Sequence, residues 1–421
     1  MTLNALSYTF LFLLYGGLAL ELWLNHRQRR HVTQHARLVP AAFRGHVDEA
    51  EHQRAAAYTI DHNRIRDPEL VVASLLVLVW TLGGGIEWLG TLLQADHHPA
   101  LGATTVIALF LINALVMLPF SAWRTFGVEG IYGFNRTTPG LYVIDRLKAA
   151  TLMLLLGWPL AFGVILLMEA TTHWWLWVWL LWTGFLLLAQ WALPRFVLPW
   201  FNRIEPLEDQ DLRRRIEGLL ERIGFSARDV QVMDASRRST HGNAFFSGIG
   251  RNRRIVFFDT LLEQLGPEET EAVLAHELGH FKLGHIRRRL IVSSLTSLLA
   301  LGLLAWLAEQ PFFYQGLGLS EPSSWGVLLL FLVAGPVFWQ CFSPLSAWLS
   351  RRDEYAADTF AARHLPPTAL RDALVRLYRD NASTLTPDPL YTAFHASHPP
   401  PVDRIQHLES LQEATPDAGR A

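Results

Sequence analysis

Residues 101–121 read LGATTVIALFLINALVMLPFS, a run without a single charged side chain. As a helix, such a run can cross the hydrocarbon core of a bilayer, which takes about 20 residues. Six further apolar stretches of similar length lie near residues 5–24, 70–94, 150–170, 174–194, 290–308 and 325–345. Buried helices of a soluble protein would explain one or two such stretches, but not seven. We therefore predict an all-α membrane protein with seven transmembrane helices.

The composition agrees with this class. The 421 residues are 51% hydrophobic and only 18% charged, whereas soluble proteins carry about 25% charged residues. The net charge of -2 indicates no nucleic-acid partner. Cys341 is the single cysteine, so the chain can form neither an internal disulfide nor a cysteine-rich zinc site.

The loops between the stretches alternate in basic content. Arginine-rich segments are 25–69, 122–149, 195–289 and the residues after 350, whereas the loops near 95–100, 171–173 and 309–324 contain neither Lys nor Arg. By the positive-inside rule, the N-terminus lies outside and the C-terminus in the cytoplasm. The first stretch lacks a basic start and a small-residue cleavage site, so we interpret it as a retained span. Arginine outnumbers lysine heavily, since only Lys148 and Lys282 are lysines. This bias favours a bacterial inner membrane over the endoplasmic reticulum.

Two polar blocks interrupt the spans and suggest four regions. These are an N-terminal membrane region with five helices (1–195), a cytoplasmic region (196–289), two further helices (290–345) and a C-terminal cytoplasmic region (346–421). In the first polar block, residues 230–233 and 254–258 have the composition of short strands. We expect a small β-sheet there, with an edge that can pair with an extended peptide.

The first polar block also contains His276-Glu277-Leu278-Gly279-His280. On a helix, positions i and i+4 share one face, so both imidazoles can bind one metal ion. The intervening glutamate is placed to take a proton from a metal-activated water. Random composition predicts only about 0.03 His-Glu-x-x-His windows in a chain with 17 His. The motif therefore predicts a zinc hydrolase over a helix with two solvated histidines.

Catalytic zinc takes three protein ligands and keeps one position open. A metzincin would need Gly at 283 and His at 286, but the chain has Leu283 and Ile286. His285 is one residue out of place, so we interpret it as a buried or supporting histidine rather than a ligand.

Glu354 is the better candidate for the third ligand. It lies four residues before Asp358, which could hydrogen-bond a ligand imidazole from the same helix face. By itself this would be an ordinary solvated acidic pair. The predicted topology favours the metal site, because the chain crosses the membrane out and back after residue 289 and returns to the same surface.

An ordered set of motifs extends over most of the chain. They are 132–138 before Asp145, 199–202, 233–239, 243–245, 258–261, 276–285, 352–358, and 397–399 with Arg404. In these motifs the chain resembles the type I CAAX prenyl endopeptidases, seven-span integral-membrane zinc metalloproteases of the gluzincin kind. The resemblance implies that the seven helices enclose a water-filled chamber, next to a small cytoplasmic protease region that contains the β-sheet.

The resemblance also implies a full set of site residues around one catalytic Zn²⁺ ion. They are His276, His280 and Glu354 as ligands, Glu277 as the base, Asp358 behind a ligand, His398 and Arg404 on the oxyanion or substrate carbonyl, and Asn243 and Ala244 along the substrate backbone. Two other assignments stay open. Tyr391 and His395 compete with His398 for the role of catalytic partner, and Glu87 faces either the chamber or another helix. For His97 and His98 we predict a solvated turn rather than a metal site.

The predicted function is an endopeptidase that cuts near the C-terminus of a peptide or protein substrate in the lipid bilayer. Two substrate classes stay open: CAAX-type proteins with a prenylated cysteine, and damaged membrane proteins of the kind cut by heat-shock membrane zinc proteases. A non-enzymatic transporter or receptor would explain the spans but would not require the zinc motif. The sequence does not predict the oligomeric state.

Overall fold

The computed structural model describes residues 3–225, 229–247 and 254–414. Its N-terminal part is a run of helices: α1 (Ala5–His35), α2 (Glu49–Trp80), α3 (Gly85–Leu92), α4 (Pro99–Ile131), α5 (Pro139–Ala170) and α6 (Trp174–Phe201). A π-helical turn interrupts each of α4, α5 and α6 without ending it. Short 3₁₀ turns lie at Ala41–Phe43 and Ala95–His97.

The polar middle of the chain mixes helices and strands. Its elements are β1 (Ile204–Pro206), α7 (Gln210–Ile223), β2 (Asp229–Met233), β3 (Ala244–Ser247), β4 (Arg254–Phe258), α8 (Asp259–Gln264) and α9 (Pro267–Lys282), with a 3₁₀ turn at Ala235–Arg237. The rest of the described chain forms α10 (His285–Ala308), α11 (Pro311–Gly316), α12 (Ser324–Ala362), α13 (Pro367–Asp380), α14 (Pro389–His395) and α15 (Pro401–Ala414).

The predicted count of seven spans is confirmed, but one of the spans is broken. Six helices are long and apolar enough to cross a membrane, namely α1, α4, α5, α6, α10 and α12. Helices α2 and α3 form the seventh together and meet at an angle of 61°. The break lies at Gly83 and Gly84. Gly84 has φ of 73°, a left-handed conformation that favours glycine, and an added Cβ at Gly83 would lie only 2.7 Å from the Val79 carbonyl oxygen.

Two separate apolar cores hold the fold together. The membrane core contains Phe10, Ile165 and Leu329, each with no more than 1% of its surface exposed. The second core surrounds α9 and contains Phe257 from the sheet and Leu274 from α9. The helix that carries the zinc motif therefore packs in the core of the polar region, to which Ala361 near the C-terminal end of α12 also belongs.

The predicted small sheet is present. Its strand order is β1-β2-β4-β3, with β2 and β4 parallel and the other two pairs antiparallel. Strand β3 lies at one edge of this sheet, where Ala244 pairs with Phe257. Edge strands offer unpaired backbone groups to an added strand.

All three predicted region boundaries fall inside helices. Residue 195 lies in α6, residue 289 in α10 and residue 345 in α12. Apolar runs end where the sequence becomes charged, but backbone hydrogen bonding does not stop there. Helix α12 continues through a 3₁₀ turn at Gln340–Phe342 and carries Glu354 on the same element as the last span.

Candidate metal centre

Helix α9 begins with strong local signals. The Gly266 backbone N–H donates to Glu269 Oε2 at 2.7 Å, Pro267 occupies the first turn, and Glu268 and Glu269 face the positive end of the helix. The helix ends before Gly284, which has φ of 73°. The motif histidines therefore lie in the last two turns of a well-capped helix.

Helix α9 crosses α12 at very short range. An added Cβ at Gly279 would lie 3.1 Å from Ala357 Cα and 3.2 Å from the Ala357 carbonyl oxygen. Ala357 itself has 0% of its surface exposed. Two small residues at the crossing thus let the backbones approach, which brings one face of α12 against the histidines of α9.

Three of the predicted ligands converge at this crossing. Glu354 Oε1 lies 3.2 Å from His280 Nε2, and Glu354 Oε2 lies 3.5 Å from His276 Nε2. The two Nε2 atoms are 3.3 Å apart. In the described ranges this is the one cluster of three or more His, Cys, Asp or Glu side chains close enough to share a metal ion. Two imidazoles and one carboxylate are a catalytic zinc donor set that leaves a position open for water.

A fully buried ion pair supports His276. Its Nδ1 lies 2.7 Å from Asp358 Oδ1. Arg404 donates from Nε and Nη2 to the two oxygens of Asp358, at 2.7 Å each. Burial and the charge of Arg404 oppose protonation of His276, but the carboxylates of Asp358 and Glu354 outweigh them and raise its pKa to about 9 in the metal-free protein.

A different arrangement supports His280. Its Nδ1 lies 3.0 Å from Nδ1 of His285, which has only 4% of its surface exposed. His285 Nε2 is 3.7 Å from Asp353 Oδ1, and Arg288 pairs with the same oxygen. The spacing of His285 from the motif signals a supporting role, but nothing in the sequence pointed to Asp353 or Arg288.

Glu277 and His398 face the open side of the site. Glu277 is half-buried, and no hydrogen bond or ion pair to it occurs within the described residues. His398 precedes Pro399 at the start of the last helix, and its side chain is 63% exposed. Its Nδ1 lies 2.7 Å from Glu354 Oε2. His398 is therefore held against a predicted ligand, whereas Glu277 has no such contact within the described residues.

Arg404 lies in a different place from the one we expected. We predicted that it faces the substrate carbonyl, but only 5% of its surface is exposed and its guanidinium group is paired with Asp358. It also lies 3.1 Å from His276 Nδ1. It therefore contacts the zinc ligands from behind.

The predicted substrate-contact residues lie at the edge of the sheet. Asn243 is exposed and immediately precedes β3, and Ala244 begins that strand. The Asn243 carbonyl oxygen accepts from Phe258 N–H at 2.9 Å, which closes the register of β3 on β4. Strand β3 also packs against α9, the helix that carries the zinc motif.

The residues that competed for other roles lie elsewhere. His395 lies 3.4 Å from Glu21 and Tyr391 accepts from Arg66 at 3.3 Å, so both contact α1 and α2 instead of the ligand group. Glu87 accepts from Ser320 at 3.1 Å, which favours the contact between elements over a chamber-facing role. His98 caps α4 by accepting from Ala100 N–H.

Comparison with known proteins covers nearly the whole chain. The family model for the CAAX prenyl protease N-terminal region, with five membrane helices, matches residues 28–203. The model for peptidase family M48 matches residues 206–412. The probable CAAX prenyl protease 1 of Schizosaccharomyces pombe is 32% identical, over 94% of this chain and 86% of its own length.

Two further matches agree with this relationship. The CAAX prenyl protease 1 homolog of Homo sapiens is 28% identical, over 93% of both chains. The crystal structure of S. mikatae Ste24p superimposes with a TM-score of 0.89 at 26% identity, over 97% of this chain and 100% of that one. The chain therefore belongs to the CAAX prenyl protease branch of peptidase family M48 and is a multi-pass integral-membrane zinc metalloprotease.

Proposed function

We propose that this protein is an endopeptidase that cuts prenylated CAAX-type proteins near their C-terminus, with its active site open to the cytoplasm of a bacterial inner membrane. The convergence of His276, His280 and Glu354, together with an unpaired Glu277 between the two histidines in sequence, carries this proposal. The names of the matched relatives support the substrate class. The alternation of arginine-rich and arginine-free loops supports the orientation.

His276, His280 and Glu354 would hold the zinc ion. When bound, zinc acts as a Lewis acid on the scissile carbonyl and lowers the pKa of a coordinated water toward ~7. Glu277 takes the proton from the attacking water, since its carboxylate is unpaired and lies between the two ligands in the motif. It then passes that proton to the leaving amine nitrogen.

His398 is placed to stabilise the developing oxyanion, because its exposed imidazole lies next to a ligand carboxylate. Arg404 acts on the ligands instead: it holds Asp358, which in turn orients His276. His285 does the same for His280 by accepting a hydrogen bond from its Nδ1–H. Each ligand histidine then presents Nε2 to the metal.

The substrate backbone is expected to add as a strand to the free edge of β3, along Asn243 and Ala244. A cavity of about 1160 Å³ is lined by Asp353, the residue before Glu354, and by the apolar side chains of Phe331, Leu332 and Trp339. These apolar side chains can make hydrophobic contacts with a prenyl chain. A lipidated substrate is therefore part of the proposal.

Replacing Glu277 with Gln tests the reaction. We expect the cleavage of a prenylated CAAX peptide, followed by mass spectrometry, to fall at least about 100-fold, since a general base contributes about that much or more. Zinc content should stay at one ion per chain, because Glu277 is not a ligand.

Glu268→Gln is the matched control, since Glu268 lies on the same helix and its side chain is 78% exposed. It should cleave at the wild-type rate. Near-normal turnover of Glu277→Gln with zinc bound would contradict the assignment. Equal cleavage of prenylated and unprenylated peptides would instead favour a quality-control protease.

A further inference from the structure

A cavity of about 1160 Å³ lies between α10 and α12. One wall is the face of α10 that contains Val292, Thr296 and Ala300. Asp353 and Ser397 line this cavity, and Asp353 lies 3.7 Å from His285, whose other ring nitrogen contacts His280 at 3.0 Å. The cavity is therefore connected to a predicted zinc ligand through two side chains.

The polar end of the cavity has an excess of positive charge. Arg288 and Arg289 line it, and both pair with the single carboxylate of Asp353. Asp353 is 5% exposed, whereas the two arginine side chains are 53% and 54% exposed. Two guanidinium groups therefore share one buried acid and still present donors to the cavity. Apart from His395, no other ionisable side chain of the described residues lines this space.

Arg288 and Arg289 also lie near the N-terminus of a helix, where positive charge is unfavourable. Helix α10 begins at His285 and has no acid in its first turn. Positive charge at a helix N-terminus opposes the helix dipole, whereas an anion there is stabilised. The positive-inside rule accounts for arginines near the cytoplasmic end of a span. It does not account for their position in the wall of the cavity. Arg287 shows the difference, because it is exposed and does not line the cavity.

We propose that Arg288 and Arg289 form a subsite for the free carboxylate at the C-terminus of the substrate; this rests on the proposed function. An enzyme that cuts at a set distance from a chain end needs a group that recognises the end. Guanidinium pairs bind carboxylates through short, charge-assisted hydrogen bonds. Three extended residues span about 10 Å, and Arg288 is linked to ligand His280 through only Asp353 and His285.

The test compares two peptides that differ only in their C-terminal group: one ends in a free carboxylate and the other in an amide. In the wild type we expect kcat/KM for the acid to exceed that for the amide by about 10-fold, mostly through KM. In an Arg288→Gln/Arg289→Gln variant the two peptides should be cleaved equally. Arg287→Gln, the matched control, should keep the wild-type preference, and Arg288→Lys/Arg289→Lys should keep part of it.

The same comparison is made by binding, with both peptides titrated into the zinc-loaded Glu277→Gln protein. A preference for the acid in binding without any cleavage by the wild type would refute the proposed reaction and support the subsite. Equal binding and cleavage of acid and amide by the wild type would overturn the subsite, even if the double variant does not fold.

A phospholipid phosphate could use the same chemistry, so the assays are repeated in nanodiscs of phosphatidylcholine with and without phosphatidylglycerol. Stimulation by the anionic lipid that needs both arginines, together with no preference between acid and amide, would overturn the carboxylate assignment. A preference for the acid that is the same in both membranes supports it.

Discussion

The two ligand histidines of this site are held in different ways. His276 contacts a carboxylate, Asp358, which a buried arginine holds in turn. His280 contacts a second imidazole, His285, and the charged groups behind it open onto the large cavity. The His276 side is closed, because His276, Asp358 and Arg404 each have no more than 5% of their surface exposed. The other connects the metal ligand to the space in which a substrate would bind. The closed side is suited to fixing geometry, and the open side to responding to a ligand.

The largest expected effect comes from breaking the closed side. Asp358→Asn removes the charge that orients His276 and takes from buried Arg404 its hydrogen-bonded counter-ion, leaving only the Glu354 carboxylate at 3.7 Å. We expect the zinc dissociation constant to rise by up to about 100-fold, and the free energy of unfolding to fall by about 3 kcal/mol, the cost of an uncompensated buried charge. A competing chelator and thermal unfolding in detergent measure the two effects.

Asp403→Asn is the control for that variant, because Asp403 is an exposed acid next to Arg404 on the same helix. It should change neither quantity measurably. If Asp358→Asn binds zinc as tightly as the wild type, the ion pair has no part in orienting the ligand.

A second prediction concerns protons. Since the pKa of His276 is raised to about 9 without metal, this histidine is protonated at pH 7 and must lose its proton to bind zinc. We expect zinc uptake at pH 7 to release about one proton from this residue. The apparent dissociation constant should fall by about tenfold for each unit from pH 7 toward pH 9.

The stability of the metal-free protein has the opposite pH dependence: it falls as the pH rises. A raised pKa stabilises the fold fully below the unfolded value of 6.5, and this contribution is lost as the pH rises through about 9. Isothermal titration in buffers of different ionisation enthalpy counts the protons. Asp358→Asn should reduce the count, and no proton release in the wild type would contradict the prediction.

The smallest effect is expected on the open side. His285→Leu removes the acceptor for His280 Nδ1–H but leaves Asp353 paired with its arginines. We expect zinc affinity to fall by about 10-fold, with the unfolding temperature and the proton release close to wild type. His285→Asn, whose side-chain carbonyl can accept a hydrogen bond, should recover part of the affinity. If the Leu and Asn variants bind zinc with equal affinity, His285 contributes to zinc binding through packing and not through a hydrogen bond to His280.

Much of the fold could be predicted because its signals are local. The apolar runs and the alternation of arginine in the loops lie within short windows, and the count of seven spans is confirmed. The break between α2 and α3 was not predicted, because the glycines that cause it lie inside one apolar run. The spacing of His276 and His280 is likewise local, since helix periodicity alone places them on one face.

The remaining parts of the site depend on contacts between distant segments. The burial of Arg404 was not predicted, since nothing near it in sequence shows that Asp358 would bind its guanidinium group. The assignment of the site residues as a whole stays a prediction until the variants above are measured. Its geometry agrees with the three zinc ligands and with a free Glu277.

By itself, the sequence determined the membrane class, the spans and the zinc motif, because hydrophobicity and helix periodicity act over about 20 residues or fewer. Only the tertiary structure decided how α9 crosses α12 at Gly279 and Ala357, which partner holds each ligand histidine, and which arginines face the cavity. These features depend on the packing of residues far apart in the chain, and no local pattern specifies such contacts.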